Sequence, residues 1–363
     1  MRTFIKTTED ATIYQRYPNL NAGLDEILEV GKVIKDTDTS NMYASGSARA
    51  LLNFDVSQGD YTSSAEYYLN LYLANATNIN RYQYIEVCPI SASWVEGSGY
   101  LYQNVKNVGD GVTWQTASVA FGTPTTWSNA GGTISTLLTS SYQFSEIPLT
   151  SNVRINVTSL IAPIVAGLPT TEAIASGSAS SLVPPFNGLL IKFPTADETN
   201  QNNIGNIKFF SGNTHTVFEP TLEVVWRNQT FTTGSLKPIP SSNVSITPKN
   251  LKESYIQGEV DKIYLVIRDK YPDKKFDATQ RYKNTYYLPS ESYYRLRDEV
   301  SEIEVHKFDA FSAINCDASG SYITLDTSGL NIGRFYSLDL KIKSGNLVFF
   351  PEFNYTFRIE NDD

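Results

Sequence analysis

The sequence is poor in the residues that most often carry chemistry. Its 363 residues include two histidines, two cysteines and two methionines. A Ser-His-Asp triad would need His215 or His306 beside an activated serine, and no Gly-x-Ser-x-Gly elbow is present. The His-Glu-x-x-His motif, a phosphate-cradling glycine loop with lysine, and Cys-x-x-Cys pairs are also missing, so nothing points to a zinc protease, a P-loop enzyme or a zinc ribbon. Cys88 lies in the apolar run Tyr84-Ile85-Glu86-Val87-Cys88 and reads as a buried free thiol, not half of a disulfide framework. His215, in Gly212-Asn213-Thr214-His215-Thr216, reads as a solvated loop residue, and His306 as a strand-surface residue.

Basic charge is scarce too. Lys and Arg total 29 against 38 Asp and Glu, a net charge of -9, so no cationic surface is available to neutralise phosphates and no nucleic-acid partner is expected. Charged residues make up 18% and hydrophobic ones 41%, which excludes a disordered chain. No apolar run is long enough to span a bilayer. Met1-Arg2-Thr3-Phe4-Ile5-Lys6 leads straight into a strand-like segment, so neither a signal peptide nor a membrane partner is expected.

What the chain does have is 23 Tyr, 18 Phe and many short alternating runs. Aromatic and β-branched residues suit pleated, half-buried surfaces. Ala65 to Leu73, Val153 to Val157 and Thr221 to Trp226 alternate with period two between turn residues. One short helix is expected over Thr158–Gly167. Asn228 to Ser242 crowds Pro and Ser without periodicity, as a linker does. The expected architecture is all-β: a jelly-roll-like sandwich over 1–228, a linker over 229–248, and a smaller immunoglobulin-like sandwich over 249–363.

An ordered series of segments resembles the DNRLRE-type carbohydrate-binding-like module. Asp10-Ala11-Thr12-Ile13-Tyr14, Asn19-Leu20-Asn21-Ala22-Gly23 and Leu28-Glu29-Val30-Gly31 match its opening strands and Asn-rich loop. Arg49 to Val56, Ser93-Trp94-Val95-Glu96-Gly97-Ser98-Gly99, Asp110-Gly111-Val112-Thr113-Trp114, Val157-Thr158-Ser159-Leu160 and Pro220 to Val224 follow in the family's order. A long insertion over Asn129–Thr150 departs from it. The resemblance implies a lectin-like β-sandwich. Joined to an immunoglobulin-like domain and lacking a secretion signal, it is an arrangement of bacteriophage virion proteins. The resulting expectation is a non-catalytic virion structural protein of neck, tail or capsid exterior. It would be made in the host cytoplasm, partnered by other virion proteins and copies of itself, and would display a module for host glycan. The alternative is a carbohydrate-binding module of a secreted or cell-surface protein.

Three residue groups are candidates for contacts. Trp94, Tyr100, Tyr102, Trp114 and Trp127 cluster in Gly/Ser/Asn-rich segments, where rings can stack on pyranose faces; for Trp94 and Trp114 the favoured competing reading is a plug at the sandwich end. Asp10, Asn19, Asn21 and Asp25 offer oxygens to a structural calcium ion, the one cofactor the sequence suggests, though Asn and Asp in turns more often satisfy their own backbone. Tyr286, Tyr287, Tyr293, Tyr294, Arg295 and Arg297 have interface-like composition, with a solvated strand edge as the equal alternative. Asp55, Glu86, Glu96 and Asp110 are the carboxylates a glycosidase would have to pair across one cleft.

Overall fold

The computed structural model describes residues 1–33, 46–57, 65–80, 82–101, 110–120, 122–134, 138–143, 152–165, 186–202, 204–271 and 286–361. The chain forms the expected all-β sandwich architecture and divides into two compact units. One comprises Ile5–Val224; the other comprises Met1–Phe4 with Val225–Asp363.

The Ile5–Val224 unit contains β1 (Arg2–Tyr14, from Ile5 onward), β2 (Ile27–Val33), β3 (Gly46–Phe54), β4 (Glu66–Thr77), β5 (Tyr84–Pro89), β6 (Thr116–Ala120), β7 (Thr123–Thr126), β8 (Ser140–Gln143) and β9 (Asn152–Asn156). Helix α1 (Thr158–Val165), β10 (Leu189–Lys192), the short α2 (Thr195–Glu198), β11 (Gly205–Phe210) and β12 (Thr221–Val225) complete it. β1 pairs with both β12 and β3, so the hydrogen bonding closes a circuit β1-β12-β4-β11-β2-β3, while β3 also leads into β10-β5-β8. A strand shared in this way turns the corner of a sandwich.

Alternation explains β4, where Tyr67, Leu69, Leu71 and Leu73 are buried and their neighbours less so. Across strands, Leu28 lies opposite Phe209 and Val30 opposite Ile207, all four buried. β3 and β10 do not alternate, because both of their faces are covered. On one of these faces Ala11, Ile13, Leu51 and Leu190 pack beneath Ile90, Trp94, Val112, Trp114, Ala117 and Trp127. The tryptophan-bearing segments are thus a second layer over the sheet, and burying each indole contributes about 2–3 kcal/mol.

The second unit has a four-stranded sheet of β14 (Val244–Pro248), β16 (Val260–Asp269), β21 (Gly320–Asp326) and β20 (Asn315–Asp317). Its six-stranded sheet runs β15 (Ser254–Ile256), β24 (Tyr355–Glu360), β22 (Phe335–Ser344), β18 (Ser292–Asp298), β19 (Glu304–His306), with β23 (Leu347–Phe349) also paired to β22. Ile246, Ile263, Leu265 and Ile323 from one sheet share a core with Leu296, Leu338, Leu340 and Phe357 from the other.

The division falls at Val224/Val225, and the stretch 229–248 differs from the linker expected there. Phe231 bridges Cys316, β13 (Lys237–Pro238) pairs with β17 (Tyr286–Tyr287), Ile239 is buried in the core, and β14 pairs with β16. The prolines interrupt periodicity without freeing the chain, since Val244 and Ile246 still alternate inward.

Candidate functional site

Loops at one end of the Ile5–Val224 unit converge on Asn21, which is fully buried. Its Nδ2 donates to the carbonyls of Glu96 at 2.7 Å and Val112 at 2.8 Å. Its Oδ1 accepts from the N–H of Gly99 at 2.7 Å and of Gly23 at 3.3 Å. This arrangement explains the glycines of Glu96-Gly97-Ser98-Gly99. Gly97 has φ +84, and a Cβ there would fall 2.6 Å from the Asn21 amide; one on Gly99 would fall 2.4 Å from the Asn21 carbonyl.

The segment so held lines an open cleft of about 580 Å³, bounded by Tyr14, Asp25, Glu26, Ile27, Glu29, Tyr100, Leu101 and Lys208. Asp25 positions the far wall: both its carboxylate oxygens accept from the N–H of Leu101, at 3.2 and 3.1 Å. Glu29 Oε1 pairs with Lys208 Nζ at 2.8 Å, and Glu29 Oε2 accepts from Asn206 Nδ2 at 3.0 Å. Burial raises the Asp25 carboxyl above its ordinary value; the Leu101 hydrogen bond and Lys208 oppose this, and the Glu29 charge adds to it. Tyr14 is buried in the wall and Tyr100 half-buried. An aromatic ring beside carboxylates and an ammonium is a combination that suits a sugar, whose C–H face packs on the ring while its hydroxyls hydrogen-bond the charged groups.

The structure divides the expected sugar-stacking group. Trp94, Trp114 and Trp127 are buried, so none offers a face to a sugar; for Trp94 and Trp114 this is the burial favoured from the sequence over sugar stacking, and for Trp127 it is a correction. Trp94 Nε1 donates to Asn187 O at 2.8 Å and Trp127 Nε1 to Thr113 O at 2.9 Å; the Arg49 guanidinium lies 4.9 Å from the Trp114 ring. Their size and apolar area pull them onto the sheet. Tyr100 lines the cleft, and Tyr102 lies outside the described residues.

The expected calcium group is also taken apart. Asn21 is committed to backbone groups and Asp25 to Leu101, Asn19 is exposed, and Asp10 is buried and accepts from the N–H of Gly212. Among the described residues no group of three or more His, Cys, Asp or Glu is placed to hold a metal ion.

The interface group splits by strand parity. Tyr294 points into the core, while Tyr293, Arg295 and Arg297 lie on the other face of β18. Arg295 pairs with Asp339 at 2.7 Å and Glu304 at 2.8 Å, and Arg297 lies 3.9 Å from Glu299. Tyr286 is half-buried with its hydroxyl on Asp269, and Tyr287 sets its ring edge against Phe231. The four glycosidase candidates serve separate partners: Asp55 with Ser57, Glu86 with Lys192, Glu96 with the Asp10 N–H, and Asp110 with Ser98.

His306 is a correction, for it is buried between Phe4 and Tyr294 rings and not on a strand surface. His215 is exposed and Cys88 buried, with burial pushing the Cys88 thiol up to about 11. Sequence reasoning missed the ion pair of Arg49 with Glu198 and that of Lys192 with Glu86, both on the covered faces of β3 and β10. The available signal was position: Arg49 is two residues from Leu51, and Lys192 two from Leu190, and each shares a face with its apolar neighbour.

No family model matches the chain, and no curated protein matches it. Among solved structures, the native conformation of Escherichia coli alpha-2-macroglobulin is similar at 10% identity and a TM-score of 0.22, covering 86% of this chain and 13% of that one. A DUF4785 family protein from Legionella pneumophila is similar at 7% identity and a TM-score of 0.20, covering 99% of this chain and 64% of that one. This chain spans less than two thirds of either, and likeness at this level carries no argument about function.

Proposed function

We propose that the chain is a non-catalytic binding protein whose Ile5–Val224 unit takes a saccharide in the cleft between Tyr100, Asp25, Glu29 and Lys208. One observation carries this reading: the cleft combines an aromatic side chain with oriented carboxylates and an ammonium, and its wall is held by the Asn21 and Asp25 hydrogen bonds before any ligand arrives. The test is a glycan array followed by calorimetry on the full chain and on Tyr100→Ala. Saccharide binding weakened at least tenfold in the variant is the expected result. Absence of binding to neutral, acidic and amino sugars alike would overturn the reading.

The setting that fits such a protein is a virion structural role in many copies. What supports it is the β22–β23 hairpin, where Leu347, Val348 and the following Phe350 are exposed and offer apolar contact area. Light scattering of the purified chain and its copy number in particles test this role. A stable monomer absent from particles would leave the free carbohydrate-binding module.

A further inference from the structure

The loops beside the cleft contain a second device that saccharide recognition does not use. Asp10 on β1 is 1% exposed. Its Oδ2 accepts from the N–H of Gly212, and its Oδ1 is buried without a hydrogen-bond partner. The Glu96 carboxylate reaches the same residue from the neighbouring loop. Its Oε1 accepts from the Asp10 N–H at 3.1 Å and from Asn213 Nδ2 at 3.3 Å, while Asn213 Nδ2 also donates to Gly23 O at 3.0 Å. Two carboxyl groups therefore tie three segments together: β1, the loop carrying Glu96 through Gly99, and the loop 211–213.

Among the described residues, the groups that act on Asp10 include no cation. The loop 211–213 presents a backbone N–H and the neutral Asn213, and β3 presents Leu52 opposite Asp10. Glu96 is the charged group that bears on Asp10, and Glu9 adds negative charge near Glu96. A buried carboxyl beside another carboxyl, with one oxygen unsatisfied, favours its protonated form.

We propose that the Asp10–Glu96 pair is a pH latch: with a proton on Asp10 it locks the loops 94–99 and 211–213, and loss of that proton loosens them. Burial, reinforced by the Glu96 charge and opposed by the Gly212 hydrogen bond, pushes the Asp10 carboxyl up to about 7. The switch therefore operates through neutrality, locked in mild acid and loosened in mild base. The same loops lead through Gly99 to Tyr100 and Leu101 of the cleft, so the latch regulates the proposed saccharide site and rests on that reading for its purpose, though not for its existence.

Hydrogen exchange on the full chain, without sugar, tests the latch. Peptides covering 94–101 and 211–218 are compared at pH 5.5 and 8.5 after correction for intrinsic exchange rates. Wild type is expected to lose protection at least tenfold between the two. Asp10→Asn keeps a carbonyl for Gly212 and puts an NH₂ where the unsatisfied oxygen lies, so its protection is expected to be independent of pH. Should that variant fail to fold, Glu96→Gln, which removes the smaller contribution of the neighbouring charge, is expected to shrink the pH dependence without abolishing it. Wild-type protection that changes less than twofold, or an undiminished pH dependence in a folded variant, would overturn the latch. Sugar titrations at both pH values separate the two readings. Flat protection with sugar bound defeats the latch alone, and pH-dependent protection with no sugar bound defeats the saccharide site alone.

Discussion

Replacing Asn21 by Ala would leave the carbonyls of Glu96 and Val112 and the N–H of Gly99 without partners inside the protein. Each buried polar group left unpaired costs about 1–3 kcal/mol, so Asn21→Ala is expected to destabilise the fold by about 3–5 kcal/mol. Asn21→Asp should be at least as damaging at neutral pH, because it sets carboxylate oxygen against two carbonyls. Denaturant unfolding of both variants measures this, and a loss under 1 kcal/mol would contradict the organising role. Sequence marked Asn21 as an oxygen donor in a loop. That these partners are backbone groups 75 and 91 residues away depends on how the Glu96–Gly99 and Asp110–Thr113 segments fold back.

At the scale of elements, β3 and α2 are joined by Arg49, whose Nε and Nη2 both bind the Glu198 carboxylate, at 2.9 and 2.6 Å. The side chains are 15% and 7% exposed, and Arg49 Nη1 also donates to Gly131 O at 2.7 Å. Arg49→Ala strands a buried carboxylate and is expected to cost about 3–5 kcal/mol. Arg49→Lys keeps the charge but loses the planar fork and the contact with Trp114, and should cost about half as much. The readout is the denaturation midpoint at unchanged slope. The run Ala50-Leu51-Leu52 told that this strand is apolar; it did not tell that both faces are covered, since the covering layer comes from residues 90–134.

Over the whole molecule, pH acts with opposite signs on two of the buried side chains, His306 and Asp10. Burial, with Arg2 and the Met1 ammonium adding, holds His306 well below its ordinary 6.5. Its neutral form is the folded one, so its contribution is intact above about pH 6.5 and declines as pH falls below that value. His306→Phe, a fit between the Phe4 and Tyr294 rings, is expected to flatten the acid limb by about 1.4 kcal/mol per pH unit between pH 6 and 5. Unfolding free energies across pH 4–7 measure the difference, and parallel limbs would refute it. Asp10 works in the other direction: its contribution declines as pH rises from about 4 to about 7.

Local chemistry alone determined that this chain is all-β, that Cys88 is buried and that His215 is solvated, because hydrophobic alternation and turn residues act within a few positions of the chain. Tertiary structure decided what covers each face. It sent three tryptophans onto the sheet, divided Tyr294 from Arg295, buried His306, and brought Tyr100 and Asp25 to one cleft. Strand parity assigns a side chain to a face, but only the closing of strands and loops distant in sequence determines whether that face meets water, an aromatic ring or a second carboxylate.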